Sequence, residues 1–174
     1  VADLIAYRQR KETLVEHGTS FDIDTPFGKA KAHTYSLPWD PMQHLAVVFG
    51  DIRDGVDIPV RLHPENVADD LFGKNSPVDF YMQKIAEQGR GVIVYLREGS
   101  VGVGHHDNGR KARNQGREAH AEAQTRDSEW LEIGLGAQIL RDLGVSSIRL
   151  LTSRERHYVG LEGFGIKISK TEIC

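Results

Sequence analysis

The pattern of apolar and polar positions divides the chain into a β-rich front and an α/β rear. Ala2, Leu4, Ile5, Leu14 and Val15 fall on roughly one helical face, and Gly18 is placed to stop that helix. From about Phe21 to His63 the pattern predicts antiparallel strands over Lys29–Ser36, His44–Ile52 and Ile58–His63. The segments between them carry turn chemistry: Pro26-Phe-Gly28, Pro38-Trp-Asp-Pro41 and Arg53-Asp-Gly55. Residues 64–75 are polar and irregular. Ser76-Pro-Val-Asp79 then reads as a helix start, with Ser76 as cap, Pro77 at the first helical position and Asp79 complementing the helix dipole. Phe80, Met82 and Ile85 are expected to face inward, and Gly89 to end that helix. Gly91–Leu96 reads as a buried strand.

Beyond that strand, 97–127 is a long polar stretch without clear periodicity, which in a compact domain points to a functional or disordered loop. Ser128 opens another helix, with Ile133, Ala137 and Leu140 inward and Gly144 as stop. A strand at Ser147–Leu151, a short turn or helix at Ser153–Tyr158 and a strand around Gly165–Ser169 complete the chain. The fold class expected from this order is α+β with a mixed β-sheet and flanking helices.

The remaining composition narrows the function classes. The 174 residues, 39% hydrophobic and 27% charged, suit one folded domain. The balance of 22 basic against 25 acidic residues, net −3, argues against a general nucleic-acid binder. No apolar run approaches the ~18 residues of a membrane span, and no signal peptide is visible. One cysteine, Cys174, excludes an intramolecular disulfide and any cysteine-rich zinc site, and leads to the expectation of a reducing, cytoplasmic setting.

The stretch Gly134–Thr152 followed by Val159-Gly-Leu-Glu-Gly-Phe-Gly165 is specific. With Val60-Arg-Leu-His-Pro-Glu65, Asp70-Leu-Phe-Gly73 and Ile85–Arg97, in that order, it resembles GTP cyclohydrolase II. That family opens the imidazole ring of GTP at the start of riboflavin synthesis. The resemblance covers about residues 20 to 170. The opening Ala2–Arg8 resembles the segment that joins a 3,4-dihydroxy-2-butanone-4-phosphate synthase to a cyclohydrolase II domain in two-domain riboflavin enzymes. The expected organisation is therefore a linker helix over 1–19, leading from an upstream synthase domain, and a cyclohydrolase II-like domain over 20–174.

The resemblance implies a catalytic zinc held by three cysteines, an open site of the kind that activates water. Here the first of those positions is Asn66, and the later pair falls within Lys74–Val78, which holds no cysteine. The family's zinc is expected to be absent. The rival is a replacement site from His63, Glu65 and Asp69 or Asp70, or from His105-His106-Asp107. The family's phosphate-reading arginine falls at Ser100 or Val101, within a glycine-rich run, which removes a bidentate phosphate contact. Counting back from Gly136-Ala-Gln138 places Glu129 at the family's base and Leu131 at its nucleophilic arginine. Leucine has no lone pair with which to attack phosphorus. The family's nucleotide-contacting threonine is present as Thr152, while its lysine falls at His157. Arg61, His63 and Glu65 match the family. These three and Thr152 are the candidate nucleotide-binding residues, with a guanine nucleotide as the candidate ligand.

Two classes of function follow. The first is a degenerate cyclohydrolase II-like domain that acts as scaffold or regulator of an attached synthase and pairs with itself as a homodimer. Trp39, Met42, Phe72 and Tyr81 are candidates for that pairing surface. The alternative is an active purine nucleotide cyclohydrolase with an altered metal site. A nucleotide sensor that binds without turnover is a third.

Overall fold

In a computed structural model the described residues are 15–97, 133–153 and 159–174. They form one seven-stranded mixed sheet. Its strands are β1 (Glu16–Thr25), β2 (Gly28–Leu37), β3 (Asp40–Phe49), β4 (Ile58–Pro64), β5 (Gly91–Leu96), β6 (Ser147–Thr152) and β7 (Lys167–Ile173). The order across the sheet is β1-β2-β3-β5-β4-β6-β7. The β1, β2, β3 and β5 pairings are antiparallel, whereas β5–β4, β4–β6 and β6–β7 are parallel. Helix α1 (Pro77–Glu87) precedes β5, the helical residues 133–142 (α2) precede β6, and the short helix α3 (Val159–Gly163) precedes β7.

The central strands β5, β4 and β6 are buried on both faces, which explains why β5 reads as a continuous apolar run and not as an alternating one. Val60, Leu62, Val92, Val94, Ile148 and Leu150 pack against Ala137, Ile139 and Leu140 of α2 and against Leu161 and Phe164. The opposite face packs Val47, Phe49, Ile93 and Leu151 against Tyr81 and Ile85 of α1. Gly136 lets α2 approach the sheet closely, since a Cβ there would lie 2.9 Å from Leu62 Cδ2. Ser76 caps α1 by accepting from the Asp79 amide, with Pro77 at its first turn.

Several expectations are corrected. Gly18 ends no helix: it lies inside β1, whose first half is exposed on both faces and so shows no alternation to read. Of the linker helix expected over 1–19, residues 1–14 lie outside the described residues, and from Glu16 onward the chain is strand and not helix. Strand β3 begins at Asp40, because Leu37 and Asp40 pair across the two-residue turn Pro38-Trp39. The last strand is Lys167–Ile173, two residues later at its start than expected. The buried stripe of α1 is Tyr81 and Ile85, at i and i+4, while Phe80 is 43% exposed. Burial of Tyr81 also removes it from any pairing surface, whereas Trp39 and Phe72 are exposed.

Candidate functional site

Parallel sheets present ligand sites at the carboxyl ends of their strands. At that end β4 delivers His63, and its chain continues through Glu65 and Asn66 into a single π-helical turn, Ala68–Phe72. Strand β5 runs beside it with Tyr95 in register with His63, and Thr152 ends β6 on the other side. The loop is locked to β5 by the Glu65 amide, which donates to the Leu96 carbonyl at 2.7 Å.

Asp70 is the centre of this corner. Its carboxylate is 4% exposed and accepts from three protein donors. His63 Nε2 lies 3.0 Å from Oδ1 and 3.2 Å from Oδ2, the Tyr95 hydroxyl donates to Oδ2 at 2.7 Å, and the Asn66 amide donates to Oδ2 at 3.1 Å. A carboxylate only accepts, so His63 carries its proton on Nε2 and presents a bare Nδ1. That Nδ1 is buried and has no hydrogen-bond partner among the described residues. Burial holds the His63 pKa below its ordinary value, against the attraction of Asp70. The pair is thus a neutral imidazole donating to a carboxylate, and not an ion pair. Tyr95 is pushed well above the ordinary phenol range, first by burial and then by its bond to Asp70. The two rings stack, with centroids 5.5 Å apart.

A second cluster lies beside the first. Arg97 Nε donates to Glu65 at 3.2 Å, and the Arg97 amide donates to His44 Nδ1 at 3.0 Å. His44 is buried, which lowers its pKa, and its proton sits on Nε2.

The sequence-derived candidates are only partly brought together. His63, Glu65, Asn66 and Asp70 converge. Arg61 instead lies on the α1 face, its guanidinium carbon 4.1 Å from the centre of the Tyr81 ring. Thr152 is buried at the end of β6, where its carbonyl accepts from the Cys174 amide. Glu129, Leu131, Ser100, Val101, His105, His106 and His157 lie outside the described residues. Tyr95 and His44 were not legible as site residues. Tyr95 reads as one more apolar strand position, and only the parallel register with His63 reveals its role.

The residues present do not fit a zinc ion held in the cyclohydrolase II manner. Asn66 offers a neutral amide at the position where the resemblance implies a thiolate, and that amide is engaged: Nδ2 donates to Asp69 at 2.8 Å, and Oδ1 accepts from the Asp69 amide at 3.2 Å. The carboxylates of Asp69, Asp70 and Glu65 all accept from protein donors.

Comparison with known proteins agrees with this architecture. A GTP cyclohydrolase II family model matches residues 16–172. A monofunctional riboflavin biosynthesis protein of the Arabidopsis thaliana chloroplast is 43% identical over 97% of this chain and 36% of its own length. A riboflavin biosynthesis protein of Rhodococcus jostii is 37% identical over 98% of this chain and 44% of its own. A crystal structure of a two-domain 3,4-dihydroxy-2-butanone 4-phosphate synthase from A. baumannii superposes with a TM-score of 0.67 at 28% identity, covering 99% of this chain and 44% of that one. The chain thus spans less than half the length of these relatives. Its fold, its matched residues and its relatives place it in the GTP cyclohydrolase II family, as a domain of the riboflavin-biosynthesis proteins.

Proposed function

We propose that this domain has lost GTP ring opening and serves as a scaffold or regulatory domain for a dihydroxybutanone-phosphate synthase domain joined to its N-terminal side. The observation that carries this reading is the corner around Asn66. The family chemistry needs a metal there, and the side chains of Asn66, Asp69, Asp70 and Glu65 are instead engaged by donors of the chain itself. Leu131 at the nucleophile position supports the same reading. So does the A. baumannii neighbour, a two-domain 3,4-dihydroxy-2-butanone 4-phosphate synthase. Self-pairing as a homodimer belongs to the proposal, because a domain that pairs with itself holds two tethered partners at raised effective concentration. A reducing compartment such as the cytoplasm, and a guanine nucleotide as regulatory ligand, are parts of it too.

The test is direct. GTP incubated with the purified chain should give no ring-opened product above a protein-free control. In the full-length protein, deletion of this domain should lower synthase activity or stability, and light scattering should give about twice the mass of one chain. Turnover that survives repurification overturns the first half. A monomer whose removal leaves the synthase unchanged overturns the second.

A further inference from the structure

The far edge of the sheet carries a second constellation, remote in sequence and in topology from the corner around Asp70. Strands β1 and β2 pair antiparallel, and their register slips between His17 and Ser20. The slip has a local cause. The Thr19 amide leaves the ladder to donate to Thr34 Oγ1 at 2.8 Å, and Gly18 sits against the same hydroxyl, 2.5 Å from where its Cβ would stand. One consequence is that His17, Ser20 and His33 turn their polar atoms toward one point. His17 Nε2 lies 3.2 Å from His33 Nδ1, and Ser20 Oγ lies 3.0 Å from the first and 2.8 Å from the second.

Two nitrogens bound to one tetrahedral metal at ~2.05 Å stand about 3.3 Å apart. The observed 3.2 Å separation, here spanned by a hydrogen bond between the two rings, is also that of a chelating pair. His17 makes an edge contact to Tyr35 with centroids 5.2 Å apart, and Tyr35 is itself buried and donates to Asp142 at 2.7 Å. His17 is exposed, which leaves an entry path from solvent.

We propose that His17 and His33, with Ser20 as a weak third donor, form a binding site for a borderline divalent transition metal such as Zn²⁺, Ni²⁺ or Cu²⁺, which favour imidazole nitrogen. The site is unrelated to the three-thiolate centre of the family. It bridges two strands and uses only two nitrogens, so it leaves coordination positions open to water or to a donor from another molecule. A bound ion would clasp β1 to β2 at the sheet edge.

The test is titration of chelator-dialysed chain with Zn²⁺ and, separately, Ni²⁺. It is followed by calorimetry and by histidine ring resonances, with thermal unfolding as an independent readout because a ligand of the folded state raises the midpoint. The expected result is one ion per chain, perturbation of the His17 and His33 resonances, and a loss of affinity of about 10–100-fold in either His17→Gln or His33→Gln. Cys174→Ser should leave binding unchanged. Both histidines tolerate this test, His17 being exposed and His33 only partly buried. Absence of binding at millimolar metal, or binding of unchanged affinity in the His17→Gln/His33→Gln double variant, overturns the proposal.

Discussion

Asp70 is the residue whose replacement should discriminate most sharply between a metal-built corner and one built from hydrogen bonds. Truncation by Asp70→Ala strands three donors: His63 Nε2, the Tyr95 hydroxyl and the Asn66 amide. Each buried donor left without a partner costs ~1–3 kcal/mol, but water entering the vacated volume recovers part of this. The expected loss is thus about 3–4 kcal/mol, which in a chain of this size lowers the thermal midpoint by roughly 6–15 °C. Asp70→Asn is milder for a specific reason. Its amide oxygen can keep the Oδ2 position facing Tyr95 and Asn66, and its NH2 group then faces His63. That ring adapts by moving its proton from Nε2 to Nδ1, so that Nε2 accepts. The remaining cost is the lost charge on two acceptor contacts, about 1–2 kcal/mol. Urea unfolding monitored by circular dichroism, in protein dialysed against a chelator, measures both. An Asp70→Ala loss below about 1 kcal/mol would refute the reasoning. So would zinc that survives the dialysis and disappears in a His63→Gln variant, because the corner would then rest on a metal.

Three further outcomes are expected. Burial lowers the pKa of His63 and His44, so between their folded values and 6.5 the unfolded chain binds more protons, and stability should rise with pH through that window. Denaturation midpoints should therefore fall on acidification from pH 7 toward 5, by at most ~1.4 kcal/mol per pH unit per histidine, and His63→Gln should flatten the slope; a pH-independent midpoint contradicts it. Restoring the family arginine by Leu131→Arg should give no GTP turnover, since loss of one preorganised catalytic group already costs ~10²–10⁴-fold and the metal donors would still be lacking; product formation by that variant counts against a degenerate site. Gly91 sits at φ +155°, where an added Cβ would lie 2.6 Å from Ile85 Cγ2 and 2.7 Å from the Pro59 carbonyl. Gly91→Ala should therefore cost about 2–4 kcal/mol by urea titration, combining backbone strain with overpacking, and a near-neutral effect would show that α1 and β5 yield at that contact.

What the sequence reveals follows the reach of each physical signal. Caps and stops are local chemistry, so Ser76, Pro77, Gly89 and Gly144 mark their elements correctly. The two-sided burial of β5 is written in consecutive apolar residues. Strand β1 has no such signature: its side chains are exposed through its first seven positions, and its strand state comes from hydrogen bonding to β2. The same limit applies to the site. Arg61, His63 and Glu65 are found through a contiguous motif, yet their shared sequence neighbourhood hides different fates. Alternation along β4 sends Arg61 and His63 to the same face, but two residues of rise separate the Tyr81 ring from the Asp70 carboxylate. Tyr95 joins the corner only through sheet register, which no single-strand pattern encodes.

The retained polar residues therefore do not by themselves argue for retained chemistry. A loop that leaves a parallel strand and returns through one π-helical turn needs a tie, or its backbone donors go unsatisfied. In a zinc-bearing site thiolates and metal supply that tie. Here Asp70 receives a backbone amide from the loop, a ring nitrogen from β4 and a hydroxyl from β5, which fixes the loop to two neighbouring strands at once. Burying a carboxylate is costly unless it is so surrounded, which gives His63 and Tyr95 a structural role independent of any catalysis. The fold and the site are separable on this view. The sheet and its two helix layers depend on Leu62, Gly136, Ile148 and their neighbours, none of which touches the corner's chemistry. A domain so constructed can lose its reaction and still present a fixed shape to a partner, the one property a scaffold needs.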